Sequence, residues 1–255
     1  MAATLGPMTA LPTTRSSTRD EATADPCLLD NAVWHSLETA HRGVAQARGD
    51  ALRYDPDVSV FSALPDDAQA DAASWRDLAD LVGPRSRAVL FRAAITPPRG
   101  WAVAHDIPGV QLVADGPLGV ADPDAVSIGP DLVAEATDLV LRTRPGPWRP
   151  RTHELGRYVG LERDGRLVAL AGQRLQPRGW CEISAVCTDP EARGQGLATR
   201  LVRHVAHLVE AGGRTPFIQT AADNAPAIRL YEALGFVTRS TVVAQVLVPP
   251  ARSER

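Results

Sequence analysis

Lysine does not occur in this chain: every one of the 27 basic residues other than histidine is arginine. That absence excludes a Schiff-base lysine, the lysine of a nucleotide-binding P-loop and acetylation of the chain's own lysines. Cysteine is scarce. Cys27, Cys181 and Cys187 are odd in number and irregular in spacing, so they build no disulfide framework. Cys181 and Cys187 fall on one predicted strand, about 20 Å apart at ~3.3 Å per residue, too far to bond to each other. A reducing cytoplasm fits this usage. No apolar run approaches the ~20 residues that cross a bilayer. The first 25 residues lack the continuous apolar core of a signal peptide and read as a flexible tail. A formal net charge of -3 lacks the basic excess with which proteins displace counterions from nucleic acid.

What is present is ordinary globular composition over 255 residues, enough for one large domain or two small ones. In the first half, Asn31 is placed to cap a helix carrying Val33, Leu37 and Val44. Trp75, Leu78 and Leu81 mark a second helix that stops at Gly83-Pro84. Segments 88–95 and 110–115 read as strands. This half, 26–115, reads as a small N-terminal α/β domain without a polar constellation of its own. Its expected role is to pack on the second half or to shape a substrate cleft.

The second half, 116–250, is more sharply patterned. A helix over 131–143 ends at RPGPWRP, whose three prolines forbid continuation. Strands 157–163 and 166–175 flank Asp164-Gly165, a hairpin signal, and WCEISAVCT (180–188) follows as a third antiparallel strand. The next helix carries Leu197, Leu201, Val205 and Leu208 on a buried face, with Arg200, Arg203, His207 and Glu210 free to face water. Strand 216–221, a helix capped by Asn224 with Pro226 in its first turn, and strand 236–248 complete a mixed α/β domain. No group of residues has metal-ligand spacing.

RGQGLATRL (193–201) sets two glycines ahead of a helix. A helix N-terminus offers unpaired amides and a positive dipole end, which together hold phosphate oxygens. A P-loop needs a lysine that is missing. A dinucleotide fingerprint needs a third glycine where Thr199 stands, and a parallel strand where a hairpin meander stands. The stretch RGQGLA (193–198), followed by Asn224 and APAIRLYEALGF (225–236), resembles the two signatures of the GNAT superfamily of acyl-CoA N-acyltransferases. The resemblance covers about 150–247. PGPWRPRTHELGRYVGL (145–161) with EISAVCTDPEARGQG (182–196) resembles a bacterial subgroup that carries an extra N-terminal domain, akin to glycine-acyltransferase-like proteins, which leaves 26–115 open as a degenerate GNAT-like domain.

The resemblance implies a GNAT-like fold and an acetyltransferase moving an acetyl group from acetyl-CoA to a primary amine in a ternary complex, in a monomer or homodimer, without metal. It places the CoA pyrophosphate on the backbone of Arg193, Gly194, Gln195, Gly196, Leu197, Ala198 and Thr199, and the pantetheine arm along Val186, Cys187 and Thr188. Tyr231 becomes the group that protonates or orients the departing sulfur. Asn224 either contacts CoA or only caps its helix. Many relatives carry a glutamate base five residues before that asparagine; here Gln219 stands there. Glu182, in register with Val186 by strand alternation, is the leading substitute, against a purely structural carboxylate paired with an arginine. A water chain or His153 is also open as the base, whereas His204 and His207 read as surface residues. The absent carboxylate at 219 leaves a second reading, a CoA-binding regulatory module without catalysis.

Overall fold

The computed structural model describes residues 24–67 and 71–251; of the expected N-terminal tail, all but residues 24 and 25 lie outside them. The elements in chain order begin with α1 (Ala32–Glu38), a three-stranded sheet of β1 (Ala45–Arg48), β2 (Ala51–Tyr54) and β3 (Ser62–Ala63), and α2 (Ala72–Val82). Then follow β4 (Ala88–Arg92), β5 (Ala102–Ala114), β6 (Val126–Ser127) and α3 (Val133–Thr143). The meander β7 (Tyr158–Arg163), β8 (Arg166–Gln173) and β9 (Trp180–Thr188) leads to α4 (Leu197–Ala211), β10 (Thr215–Ala221), α5 (Ala225–Ala233) and β11 (Phe236–Val248).

The eight-stranded sheet runs β4-β11-β5-β10-β9-β8-β7-β6. The two halves read from the sequence therefore share it. β5, from the first, lies antiparallel between β10 and β11 of the second, and β4 closes the edge beyond β11. The boundary expected at 115/116 falls at the end of β5.

Adjacent strand residues point to opposite faces, and on β9 this sorts the helices. Cys181 and Ile183 pack with Leu197, Leu201 and Val205 of α4, and with Tyr231 and Leu234 near α5. Trp180 and, on β10, Phe217 face the other way, into a cluster with Leu29, Val33 and Leu37 of the α1 region and Tyr54 and Phe61 of the small sheet. α3 covers Leu167, Leu170 and Cys187 on that same second face.

Three expectations need correction. Asn31 precedes α1 but does not cap it; its side-chain amide donates to the Leu64 carbonyl at 2.9 Å and to Asp66 Oδ1 at 2.8 Å, a longer-range use than local spacing suggests. Arg200 and Glu210 do not simply face water. Arg200 grips Asp122 (2.6 and 2.8 Å) and Asp124 (2.7 Å), while Glu210 accepts from the amides of Leu118 and Gly119. His204 is half-buried beneath the same segment and accepts from the Asp122 amide at 2.9 Å. The polar side of α4 is thus clamped to the chain that joins β5 to β6.

Candidate active site

β9 and β10 run parallel only from Trp180/Thr215 to Ile183/Ile218. Beyond that point β10 stays with β5 as far as Ala221, and β9 stays with β8 as far as Thr188. The parting coincides with a bulge: Ala185 has φ 54, and the β8–β9 register slips between Leu170/Cys187 and Gly172/Ser184. A bulge sharpens the local twist of its strand, and a left-handed alanine costs about 1–2 kcal/mol. The result is a wedge-shaped gap in the sheet, with the backbone of Ser184–Thr188 unpaired on the β10 side.

Two cavities meet at this gap. The first, about 540 Å³, is lined by Val186, Cys187 and Thr188, by the turn before α4 and by α5. In that turn Gly194 (φ 75) and Gly196 (φ 74) are left-handed, and no atom lies within 4 Å of where a Cβ would stand on either. Gly196 precedes α4, and no side chain caps the helix. The first-turn amides of Leu197, Ala198 and Thr199 therefore lack intrahelical partners and face open space at the positive end of the helix dipole. Arg193, Gly194, Gly196, Leu197, Ala198 and Thr199 all line the cavity. Gln195 does not; its side chain accepts from Arg163 instead.

The second cavity, about 720 Å³, lies on the other side of the gap. Arg144, Pro145, Val186, Asn224, Ala227 and Tyr231 line both. Tyr231 is only 7 % exposed, and it packs edge-on to Phe236 with ring centroids 6.2 Å apart. Among the described residues nothing hydrogen-bonds its hydroxyl. Burial, with a smaller contribution from the Glu182 charge, pushes its pKa up to about 12, so the phenol keeps its proton at neutral pH. Burial likewise raises the Cys187 thiol in the first cavity to about 11. Asn224 does cap α5, its Oδ1 accepting from the Ala227 amide at 3.3 Å, and it lines both cavities as well.

Glu182 is placed otherwise than a free base. It is fully buried, and both its oxygens are held at 2.7 Å by the Arg174 guanidinium. Gln219 Nε2 donates to Oε1 at 3.1 Å, and the Leu175 amide to Oε2 at 3.3 Å. The arrangement found is the carboxylate–arginine pair. Gln219, where a carboxylate was missed, extends the network: its Oε1 accepts from Gln111 at 3.4 Å, and Gln111 in turn accepts from Arg239 at 2.9 Å. His153 sits in the turn Thr152–Leu155 and lines neither cavity. Among the described residues no three metal-ligating side chains converge, and no helix is long and apolar enough to cross a membrane.

Arg144 falls in the Arg-rich stretch RTRPGPWRPR (142–151), whose sequence leaves open a contact to an acidic acceptor, a contact to the CoA phosphates or a solvated linker; sequence patterning does not point to Phe61 or Asp223 as lining residues. Arg144 ends α3 in a left-handed conformation (φ 49) without glycine. Phe61 lies outside any long strand, held by an isolated bridge to Val89 and by its carbonyl, which accepts from the Tyr54 amide at 3.1 Å. Asp223 precedes the helix cap that drew attention to its neighbour.

Residues 158–244 match the family model described as FR47-like protein. The chain is 39% identical to a GNAT-family protein of Novosphingobium aromaticivorans of known structure, with a TM-score of 0.80 over 88% of this chain and 99% of that one. It is 31% identical over 130 residues to the N-alpha-acetyltransferase RimI of Mycobacterium tuberculosis, covering 46% of this chain and 81% of the relative. It is also 38% identical over 90 residues to the mycothiol acetyltransferase of Thermomonospora curvata, covering 35% of this chain and 30% of the relative. The chain thus spans less than a third of the length of that curated relative.

Proposed function

The chain belongs to the GNAT family of acetyltransferases, and on that premise we propose that it transfers the acetyl group of acetyl-CoA to a primary amine by direct attack in a ternary complex. One observation carries the reading. The gap between β9 and β10 joins an amide-lined cavity to a second cavity, and Tyr231 stands where they meet.

Acetyl-CoA is a substrate here, supplying an activated thioester carbonyl. The residues present fit it. The free amides after Gly196 can donate to pyrophosphate oxygens, as helix N-termini do. The unpaired backbone of Val186–Thr188 offers a strand edge on which an amide-bearing pantetheine arm can pair. From the second cavity the amine nitrogen attacks the carbonyl carbon. The C–N bond forms, the C–S bond breaks, and the electron pair leaves on sulfur. Tyr231 donates its proton to that sulfur and regains one from water after the thiol departs. A thiol near ~8.5 in water would leave a wide gap to Tyr231. Burial raises the pKa of an expelled thiol in the same direction as it raises the Cys187 thiol, and so narrows the gap. Glu182 holds Arg174 and Gln219 in place with its oxygens filled. The proton lost by the amine passes to water at the open mouth of the second cavity, beside the exposed Asp223.

The test is thiol release from acetyl-CoA across a panel of amines. Turnover with N-acetylated product supports the transferase; tight CoA binding without turnover on any amine supports the regulatory module. The cradle has its own check. Gly196→Val forces a β-branched residue to positive φ and points it into the open space over the amides. Losing one charge-assisted hydrogen bond of about 1.5–3 kcal/mol corresponds to a rise in the CoA dissociation constant of about tenfold to a hundredfold, measurable by calorimetry.

A further inference from the structure

The cavity on the acceptor side has a composition of its own, and much of its bulky apolar wall comes from the half of the chain that showed no chemistry in sequence. Val60 and Phe61 project from the small sheet's connection, Val89 and Phe91 from β4, Ile107 from β5 and Val246 from β11. Phe61 is the keystone of this wall. Its ring stacks on Phe91 at 5.7 Å with 21° between planes, and the Arg174 guanidinium lies 5.3 Å from the ring centroid. The ion pair with Glu182 fixes Arg174 in turn. Phe61 is therefore braced by both Phe91 and Arg174.

The charges around the cavity are few and nearly balanced. Arg174 is neutralised by Glu182 at its back. That leaves Arg144 and Asp223 as the remaining charged lining residues, one of each sign. A polyamine needs several carboxylates, and an acidic acceptor needs an unpaired cationic cluster; the wall offers neither. A polyhydroxylated acceptor would bury hydroxyls against Phe61, Phe91 and Val89 without partners, each at a cost of about 1–3 kcal/mol. The volume, about 720 Å³, is that of a pocket for a compact organic molecule.

From this lining we infer that the acceptor is a primary monoamine with an apolar, ring-sized body, its amine directed to Val186 and Tyr231 and its body lying against Phe61 and Phe91. The inference rests on the transferase reading above. It makes Phe91 and Val89 specificity-determining residues, on a strand remote in sequence from both GNAT signatures.

The experiment measures acetyl transfer to 2-phenylethylamine and hexylamine beside ethanolamine, glycinamide and putrescine, with CoA affinity measured separately. The apolar amines are expected to exceed ethanolamine in kcat/KM by about tenfold to a hundredfold, the value of burying a ring or hexyl chain. Phe91→Ala is expected to raise KM for 2-phenylethylamine about tenfold while kcat and CoA affinity hold. Val89→Thr keeps the shape and strand preference of the native residue and is expected to raise KM in the same direction, so a folding defect in the first variant does not decide the matter. Equal use of ethanolamine and putrescine, with KM unmoved in both variants, overturns the inference and leaves the transferase standing. CoA binding with no transfer to any amine overturns the transferase reading and the inference with it.

Discussion

Tyr231→Phe is expected to lower kcat about a hundredfold, the lower end of what a positioned general acid contributes, while leaving CoA affinity unchanged. The ring stays, so its packing on Phe236 and its place between the two cavities survive; only the proton is lost. The pH profile separates this role from a structural one. Because burial raises Tyr231 to about 12, the phenol is protonated throughout the neutral and mildly alkaline range. An amine with a pKa of ~8–10.4 is mostly protonated at pH 7. The rate should therefore climb with pH as the amine loses its proton, and no falling limb should appear below about pH 11. In the phenylalanine variant the climbing limb persists at a lower level. A falling limb near pH 8 that persists in the variant would assign the acid to another group of lower pKa.

The second large effect concerns stability. Glu182→Gln removes the negative charge that faces Arg174 inside the protein, where Glu182 is fully buried and the arginine side chain is 10% exposed. Breaking a buried pair from one side costs about 3–5 kcal/mol, because the remaining charge is stranded. At about 2–4 °C per kcal/mol for a chain of this size, thermal unfolding should begin roughly 6–20 °C lower. Arg174→Met strands the opposite charge and should cost a similar amount. The double replacement, Arg174→Met with Glu182→Leu, should cost less than either single change, since no charge is left buried. Calorimetric unfolding of the three variants measures this. The same proteins decide the general-base role expected for Glu182. If Glu182→Gln, assayed cold where it is folded, loses far more activity than Arg174→Met, the carboxylate takes part in proton transfer.

The second half was legible because its signals are local. The alternation of WCEISAVCT, the positive φ demanded at Asp164-Gly165, and the helix period of Leu197, Leu201 and Val205 each act within a few residues, and the strands and helix appear where those signals fall. The cradle was legible for the same reason, since glycine conformation and a helix start are properties of neighbours. What could not be read depends on pairing across the chain. The partner of Glu182 lies one residue past the end of the preceding strand, and alternation gives the face of Glu182 but not which arginine meets it. The gap in the sheet comes from a left-handed alanine that no composition announces. The acceptor wall needs Phe61 and Phe91 to stack after β4 has joined β11, a contact set by topology and not by either local pattern.

The threading of β5 between β10 and β11 also sets a schedule on the ribosome. Ala114 is made about a hundred residues before the first residue of β10, which at ~5–20 residues per second leaves β5 waiting several seconds with both edges bare. Such an edge invites pairing with another nascent chain. β5 carries its own deterrents: His105, Asp106 and Pro108 sit in its first half, where charge and a missing amide discourage a foreign strand. The price of building a pocket wall from the first half is a protein whose sheet cannot close until its last strand has emerged.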